Sequence, residues 1–270
     1  MFTEEQRAHF HERGFAHIGK VWSDERFAQL RQRCTDITQG RVLHPSMWFQ
    51  QDIGGNEYKL GPGGKFQGPS DNYRKIEGWE VDPVFLAYMQ DPVFRGITRE
   101  WIGESVSIYR AMFMNKPPNK GTVLPYHQDG GDGWRLSSVA ERDFLTVWTA
   151  VDDATIENGC VEVVPGSHKL GLLSKRGHTI SKEHESKHAE NADSVFLELK
   201  AGEVVVLHNF LLHRSGVNET PNSRRGFSVC YINGAIHRTN DPQKKPFPRV
   251  FGPDALKVED AEARMAAESA

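Results

Sequence analysis

His127 and Asp129 stand two residues apart in LPYHQDGGDGW, directly before a β-rich stretch. On an extended segment the side chains of residues i and i+2 leave the same face, so this imidazole and carboxylate can reach one metal ion. A lone His-x-Asp triplet is weak evidence. His213 in HNFLLHRSGV, at the end of a segment patterned as a strand, offers a third donor. Two imidazoles and one carboxylate leave three positions of an octahedron open, the facial arrangement of non-haem Fe(II) oxygenases. The same donors around zinc, with water in the fourth position, would serve a hydrolase. In a non-catalytic ligand-binding β-barrel they would merely support loops.

The elements that must position these residues fall into two stretches. Thr3 with Gln6 at the reciprocal capping distance, and Gly14 at the stop position, mark a helix over about 4 to 13. Ser23 caps a second helix whose Phe27, Leu30, Cys34 and Ile37 recur at helical spacing. Asp82-Pro83 and Asp91-Pro92 each place a capping carboxylate before a proline, and Phe94, Ile97 and Trp101 form one stripe beyond the second pair. From about residue 104 the chain turns to short β-rich runs, SVSIYRAMFM, DFLTVWTAV, CVEVVP, EVVVLHNF and GFSVCYIN. No strand-helix alternation follows, which excludes a doubly wound parallel sheet and favours an antiparallel sandwich or barrel. The reading is therefore one domain over 1-270, with a helical N-terminal part to about 103, a β core over about 104-235 and an extension over 236-270. Residues 38 to 75, rich in Gly and Pro, and the polar residues 171 to 196 are expected to act as ordered or lid-like loops. The tail from Asp254 is a terminal helix or a frayed end.

The joint pattern resembles the phytanoyl-CoA dioxygenase family of Fe(II)/2-oxoglutarate oxygenases. It consists of His127-Gln128-Asp129, Trp148 in TVWTAVDDATIENG, VVPGSH ending at His168, His213-Arg-Ser215, and Arg224 eleven residues beyond His213. The opening TEEQRAHFHERGFAHI is similar to the family's N-terminus, and the likeness runs from about residue 3 to 235. It implies a mainly β fold with a double-stranded β-helix core of the jelly-roll, cupin-like kind and flanking helices. It implies Fe(II) held by His127, Asp129 and His213, with 2-oxoglutarate as co-substrate and O2 as oxidant. It also implies that Gln128, Lys75, Met112 and Trp148 line the co-substrate pocket. Arg224 can offer the acid's far carboxylate a permanently charged, bidentate fork, and Ser215, on the strand face of His213, can add a hydroxyl donor. A zinc hydrolase gives no reason for these two residues at these offsets. Relatives that chlorinate lack the carboxylate, so Asp129 points to hydroxylation of a C–H bond with release of succinate and CO2.

Other residues carry blander readings. His168 belongs to a β-turn with Gly166, His208 is a core histidine pointing away from the ligand face, and His184 and His188 lie on a solvated helical face. Arg225 is a solvated neighbour of Arg224. Trp48, Phe49 and Phe66 form either a substrate lid or a satellite cluster. Asp132, Trp134 and Arg135 sit where a substrate could pass.

Thirty-three Lys plus Arg against thirty-six Asp plus Glu leave a charge of -3, with no global pull toward nucleic acid or an anionic membrane. The start MFTEEQRAHFHERGF has no apolar h-region, and no stretch is apolar enough to span a bilayer. Cys34, Cys160 and Cys230 are odd in number and scattered, which suits reduced, core-filling thiols in a cytoplasm. An acyl-CoA would want a clustered basic mouth for its phosphates. No compact Lys/Arg block lies near the metal loops, so a small polar metabolite is the expected substrate.

Overall fold

The first helix, α1 (Glu4–Arg13), begins at a reciprocal cap: the Thr3 hydroxyl accepts from the Gln6 N–H while the Gln6 side chain accepts from the Thr3 N–H. It ends at Gly14, whose φ of 85° and position, 2.5 Å between a notional Cβ and the His168 ring, both demand glycine. The computed structural model describes residues 1–54, 60–119, 121–174 and 177–268, without the side chains of 132–134 and 268. Helix α2 (Asp24–Thr38) is capped by Ser23 and buries Phe27, Leu30, Cys34 and Ile37, as its periodicity requires. Helices α3 (Pro83–Met89) and α4 (Pro92–Trp101) start with proline behind the accepting carboxylates of Asp82 and Asp91.

The N-terminal part is not simply helical. It contributes β1 (Phe15–Lys20), β2 (Trp48–Gln51), β3 (Gly63–Gly64) and β4 (Tyr73–Glu77), so residues 38 to 75 extend a sheet, with 55–59 outside the described residues. These strands are short or broken by register shifts at His17/Gly19 and Gln50/Gln51, and they carry no sustained alternation. Beyond them come β5 (Val106–Lys116), β6 (Leu124–His127), β7 (Phe144–Ala150), β8 (Val161–Val163), β9 (Val195–Leu197) and β10 (Glu203–His208). The chain continues with β11 (His213–Ser215), β12 (Arg224–Asn233) and β13 (Arg249–Phe251). Helix α5 (Lys182–His188) precedes β9, and α6 (Val258–Glu268) forms the tail.

Among the described residues the strands form two antiparallel sheets. The major sheet has nine strands in the order β1-β10-β7-β12-β5-β4-β2-β3, with β13 added to β5; the minor sheet runs β6-β11-β8-β9. Trp148, Val205 and Leu207 of the major sheet share one apolar cluster with Val161, Val163 and Leu197 of the minor sheet, so the two face each other as a double-stranded β-helix. Helices cover the outer face of the major sheet. The alternation of β12 shows why: Phe227, Val229 and Tyr231 join the outer core while Ser228 faces between the sheets. Phe227 is fully buried, 4.8 Å from the ring of Phe85 and 6.0 Å from that of Trp79. Burying each such ring contributes roughly 1.5–3 kcal/mol.

One strand boundary differs from the sequence reading. The run EVVVLHNF ends as β10 at His208, and His213 does not end that strand but opens β11 in the opposite sheet. The change of sheet within five residues is invisible to an apolar pattern that continues through Leu211 and Leu212.

Candidate metal centre and its cavity

His127 closes β6 and His213 opens β11, and the two are direct cross-strand partners with ring centroids 3.9 Å apart. Asp129 begins the tight turn that follows β6. Its Oδ1 lies 3.9 Å from His127 Nε2 and 3.8 Å from His213 Nε2, and the three ligand atoms lie within 4.8 Å of one another. These separations are too long for hydrogen bonds, yet one ion with bonds of roughly 2.1 Å can bridge them. Each Nδ1 sits 2.9 Å from a backbone oxygen, of Pro125 and of Leu211 respectively. A carbonyl can only accept, so both Nδ1 atoms donate and both Nε2 atoms are left turned toward the carboxylate. Burial, followed by the neighbouring His213 and His178, pushes the pKa of His127 well down and keeps it neutral. Two imidazole nitrogens and one carboxylate oxygen suit a divalent first-row ion.

Thr146, which the sequence reading passed over, donates to Asp129 Oδ2 at 2.6 Å and so turns Oδ1 toward the histidines. It lies two residues before Trp148 on β7, and period-two spacing from that residue was the signal available. His178 was missed as well. Its ring packs 4.1 Å from that of His127, and Thr179 bridges to His127, so the segment 171 to 196 closes over the metal end. The rest of that segment holds α5 and leads into β9, with 175–176 outside the described residues.

The centre opens into a cavity of about 400 Å³ between the sheets, lined in part by Lys75, Met112, Trp148, Ser215 and Arg224. Gln128 does not line it, contrary to the expectation. Its side chain is fully buried, donates to Gly171 O and Phe210 O, and accepts from Leu173 N and Ser174 N. It is a staple between loops, because its neighbours His127 and Asp129 take the cavity side of the chain. Arg224 is 3% exposed, donates from Nη2 to Gly159 O at 2.8 Å, and lies over the Trp148 ring at 5.7 Å. Trp148 is paired with Ser228 on β12, and its indole fits because it leans over Gly226, where a Cβ would come within 2.5 Å of it. Burial lowers the pKa of Arg224 to about 10, which leaves it charged at neutral pH. Lys75 is paired with Glu77 at 2.8 Å and lies over Trp48.

The absence of a compact basic block is also corrected in three dimensions. Arg74 and Lys75 of β4, Arg110 and Lys116 of β5, Arg214 of β11 and Arg224 of β12 all line this one cavity. Sheet pairing gathers them from distant stretches, and the sequence argument against an anionic substrate falls away.

Arg225 is no solvated neighbour: its guanidinium grips Asp152 at 2.6 and 2.7 Å. His208 is the core histidine expected, accepting from Phe210 N, while His168 meets His11 O at 3.1 Å. Phe49 and Phe66 pack with Tyr73 as part of the main core rather than a satellite cluster, and of Trp48, Phe49 and Phe66 only Trp48 reaches the cavity. His184 and His188 share a face of α5 away from the cavity. Arg135 is exposed, and the side chains of Asp132 and Trp134 lie outside the described residues. The three cysteines are free and buried. Among the described residues no helix is long and apolar enough to cross a membrane.

A model of the family described as phytanoyl-CoA dioxygenase (PhyH) matches residues 10–226. The chain belongs to the phytanoyl-CoA dioxygenase family. Its members are Fe(II)- and 2-oxoglutarate-dependent oxygenases acting on small molecules, which favours that chemistry here over a zinc hydrolase or an inert barrel. The phytanoyl-CoA dioxygenase domain-containing protein 1 homolog of Dictyostelium discoideum is 35% identical, over 91% of this chain and 98% of its own. A probable phytanoyl-CoA dioxygenase of Caenorhabditis elegans is 29% identical over 88% of this chain and 78% of its own. The fold is shared with EctD from S. alaskensis, solved with 2-oxoglutarate and 5-hydroxyectoine, at a TM-score of 0.74, 18% identity, and 95% and 89% coverage of the two chains. It is shared too with the carbocyclase SnoK from nogalamycin biosynthesis, at a TM-score of 0.69, 20% identity and 95% coverage of each chain.

Proposed function

We propose that His127, Asp129 and His213 hold the ferrous ion of this oxygenase, and that Arg224 with Ser215 grips the distal carboxylate of 2-oxoglutarate while a small-molecule substrate is hydroxylated. The observation that carries this reading is a convergence. Three ligand atoms lie within 4.8 Å of one another, and a buried guanidinium lines the same cavity. When bound, iron with 2-oxoglutarate and O2 supplies the oxidising power that places a hydroxyl on a substrate C–H, with loss of CO2 and formation of succinate.

The chain's own residues supply position and exclusion. Thr146 fixes the Asp129 carboxylate, and the two backbone carbonyls fix the imidazoles, so the donor set needs no reorganisation when metal arrives. Arg224 presents a charged fork from a desolvated wall, where its attraction for a carboxylate is stronger than in water. Trp148 and Met112 flank the acid with apolar surface and keep water from it. Lys75, tied to Glu77, sits farther along the same wall. The substrate takes the remaining room, which suits a small molecule and accepts an anionic one. Residues 1-270 are read as one domain, with α6 packed on α3 through the buried Ala261, and the free thiols suit a cytoplasm.

The test is succinate formation and oxygen uptake by the iron-loaded protein with ascorbate, 2-oxoglutarate and a metabolite panel. Stimulation by one metabolite, dependent on oxygen, is expected. No succinate with any of them would overturn the reading, and oxygen-independent activity with Zn(II) would replace it with hydrolysis.

A further inference from the structure

Resting on that reading of the cavity, we propose that Lys116 is a second anchor for the distal carboxylate of 2-oxoglutarate, beside Arg224. The two residues are direct partners across β5 and β12, both line the cavity, and they are 5% and 3% exposed. Among the described residues neither has an ion pair with a carboxylate, and Arg224 Nε is buried with no partner at all. Charging both residues would set like charges opposite each other in a buried site, which is costly until a counter-ion arrives. Such a pair is accounted for if an anion completes it.

The lysine is held for this role. Its stem runs between two glycines, where notional Cβ atoms would come within 3.1 Å at Gly121 and 2.9 Å at Gly159. Its Nζ donates to Thr122 O at 2.8 Å, and in the ammonium form two further N–H donors are left for the cavity. The ionisable groups around it are Arg224 on β12, Arg74 on β4 and Asp52 after β2, with the Cys160 thiol beside Arg224. Asp52 is engaged by the Thr122 N–H and hydroxyl at 3.0 and 3.1 Å. Burial pushes the Cys160 pKa up to about 11, so that thiol brings no negative charge at neutral pH. Burial first, then Arg224 and Arg74, drive the pKa of Lys116 well down, against the pull of Asp52. A carboxylate arriving beside it favours the charged form. Binding of the dicarboxylate is then linked to proton uptake, and affinity falls as pH rises above the lowered value of the free lysine.

Calorimetry under anaerobic conditions on the Fe(II)-loaded protein, in buffers of different ionisation enthalpy, tests this with 2-oxoglutarate and with 2-oxopentanoate, which lacks the distal carboxylate. Lys116→Met is expected to weaken 2-oxoglutarate roughly tenfold or more and to leave 2-oxopentanoate unchanged, while Lys116→Arg keeps the affinity and loses the proton uptake. Equal effects of Lys116→Met on both acids, or on neither, would overturn the proposal. Should that variant not fold, unchanged proton uptake in Lys116→Arg would do so. Failure of the underlying reading looks different: wild-type protein would then bind the two acids alike.

Discussion

The two sheets facing the cavity are built to different specifications. The minor sheet is thin, with β8, β9 and β11 of three residues each, yet it carries both histidines of the candidate metal centre. The major sheet carries Arg224, the proposed anion anchor, on a ten-residue strand whose other face is sealed by aromatic rings. Rigidity in the major sheet comes from packing. In the minor sheet it comes from polar ties: Nδ1 to carbonyl contacts, the Thr146 bond that reaches across from β7, and the Gln128 staple. Damage should therefore be read out by what a side chain faces: lost stability where it packs the outer core or staples loops, and lost ligand binding where it faces the cavity.

The sharpest contrast comes from the ligands themselves. His213→Ala is expected to abolish iron binding and succinate formation while its thermal midpoint stays near that of the wild-type apoprotein; retained iron would break the comparison. On the major sheet, Phe227→Ala removes a fully buried ring and is expected to cost about 3–5 kcal/mol in denaturant unfolding, with the iron stoichiometry of the folded fraction unchanged. Arg224→Ala should keep iron and weaken 2-oxoglutarate on the order of a hundredfold, as expected when a charged hydrogen-bonded partner is removed from a buried site. Unchanged dependence on the acid would show that the anchor lies elsewhere. The smallest effect is expected for Gln128→Ala, about 1–3 kcal/mol from four backbone partners left unmatched. Its mark should be faster hydrogen exchange at Leu173 and Ser174 with 2-oxoglutarate affinity near normal, whereas a direct pocket role would weaken the acid instead.

The same contrast explains what the sequence made legible. Caps such as Thr3, Ser23, Asp82 and Asp91 act within one turn, so helix starts could be read locally. Long alternating strands such as β12 announced both of their faces. His127, Asp129, His213 and Arg224 were legible through spacing and family likeness. The strands β1 to β4 were not, since their pairing is decided by β10 and β5 far along the chain. The switch of sheets between His208 and His213 was hidden by unbroken hydrophobicity. Gln128 was placed in the pocket by family likeness alone, while the alternation of the chain between His127 and Asp129 sends it to the other side. The six cations of the cavity come from four strands, and only the register brings them together.

The central claim, one ferrous ion and one organic acid held by different walls of a single cavity, is tested most directly by anaerobic equilibrium dialysis of Fe(II) and 2-oxoglutarate against wild-type, His213→Ala and Arg224→Ala proteins. The account predicts a single iron per chain in wild type and Arg224→Ala and none in His213→Ala, with tight acid binding in wild type alone. Iron retained by His213→Ala, or 2-oxoglutarate retained at full affinity by Arg224→Ala, would contradict it.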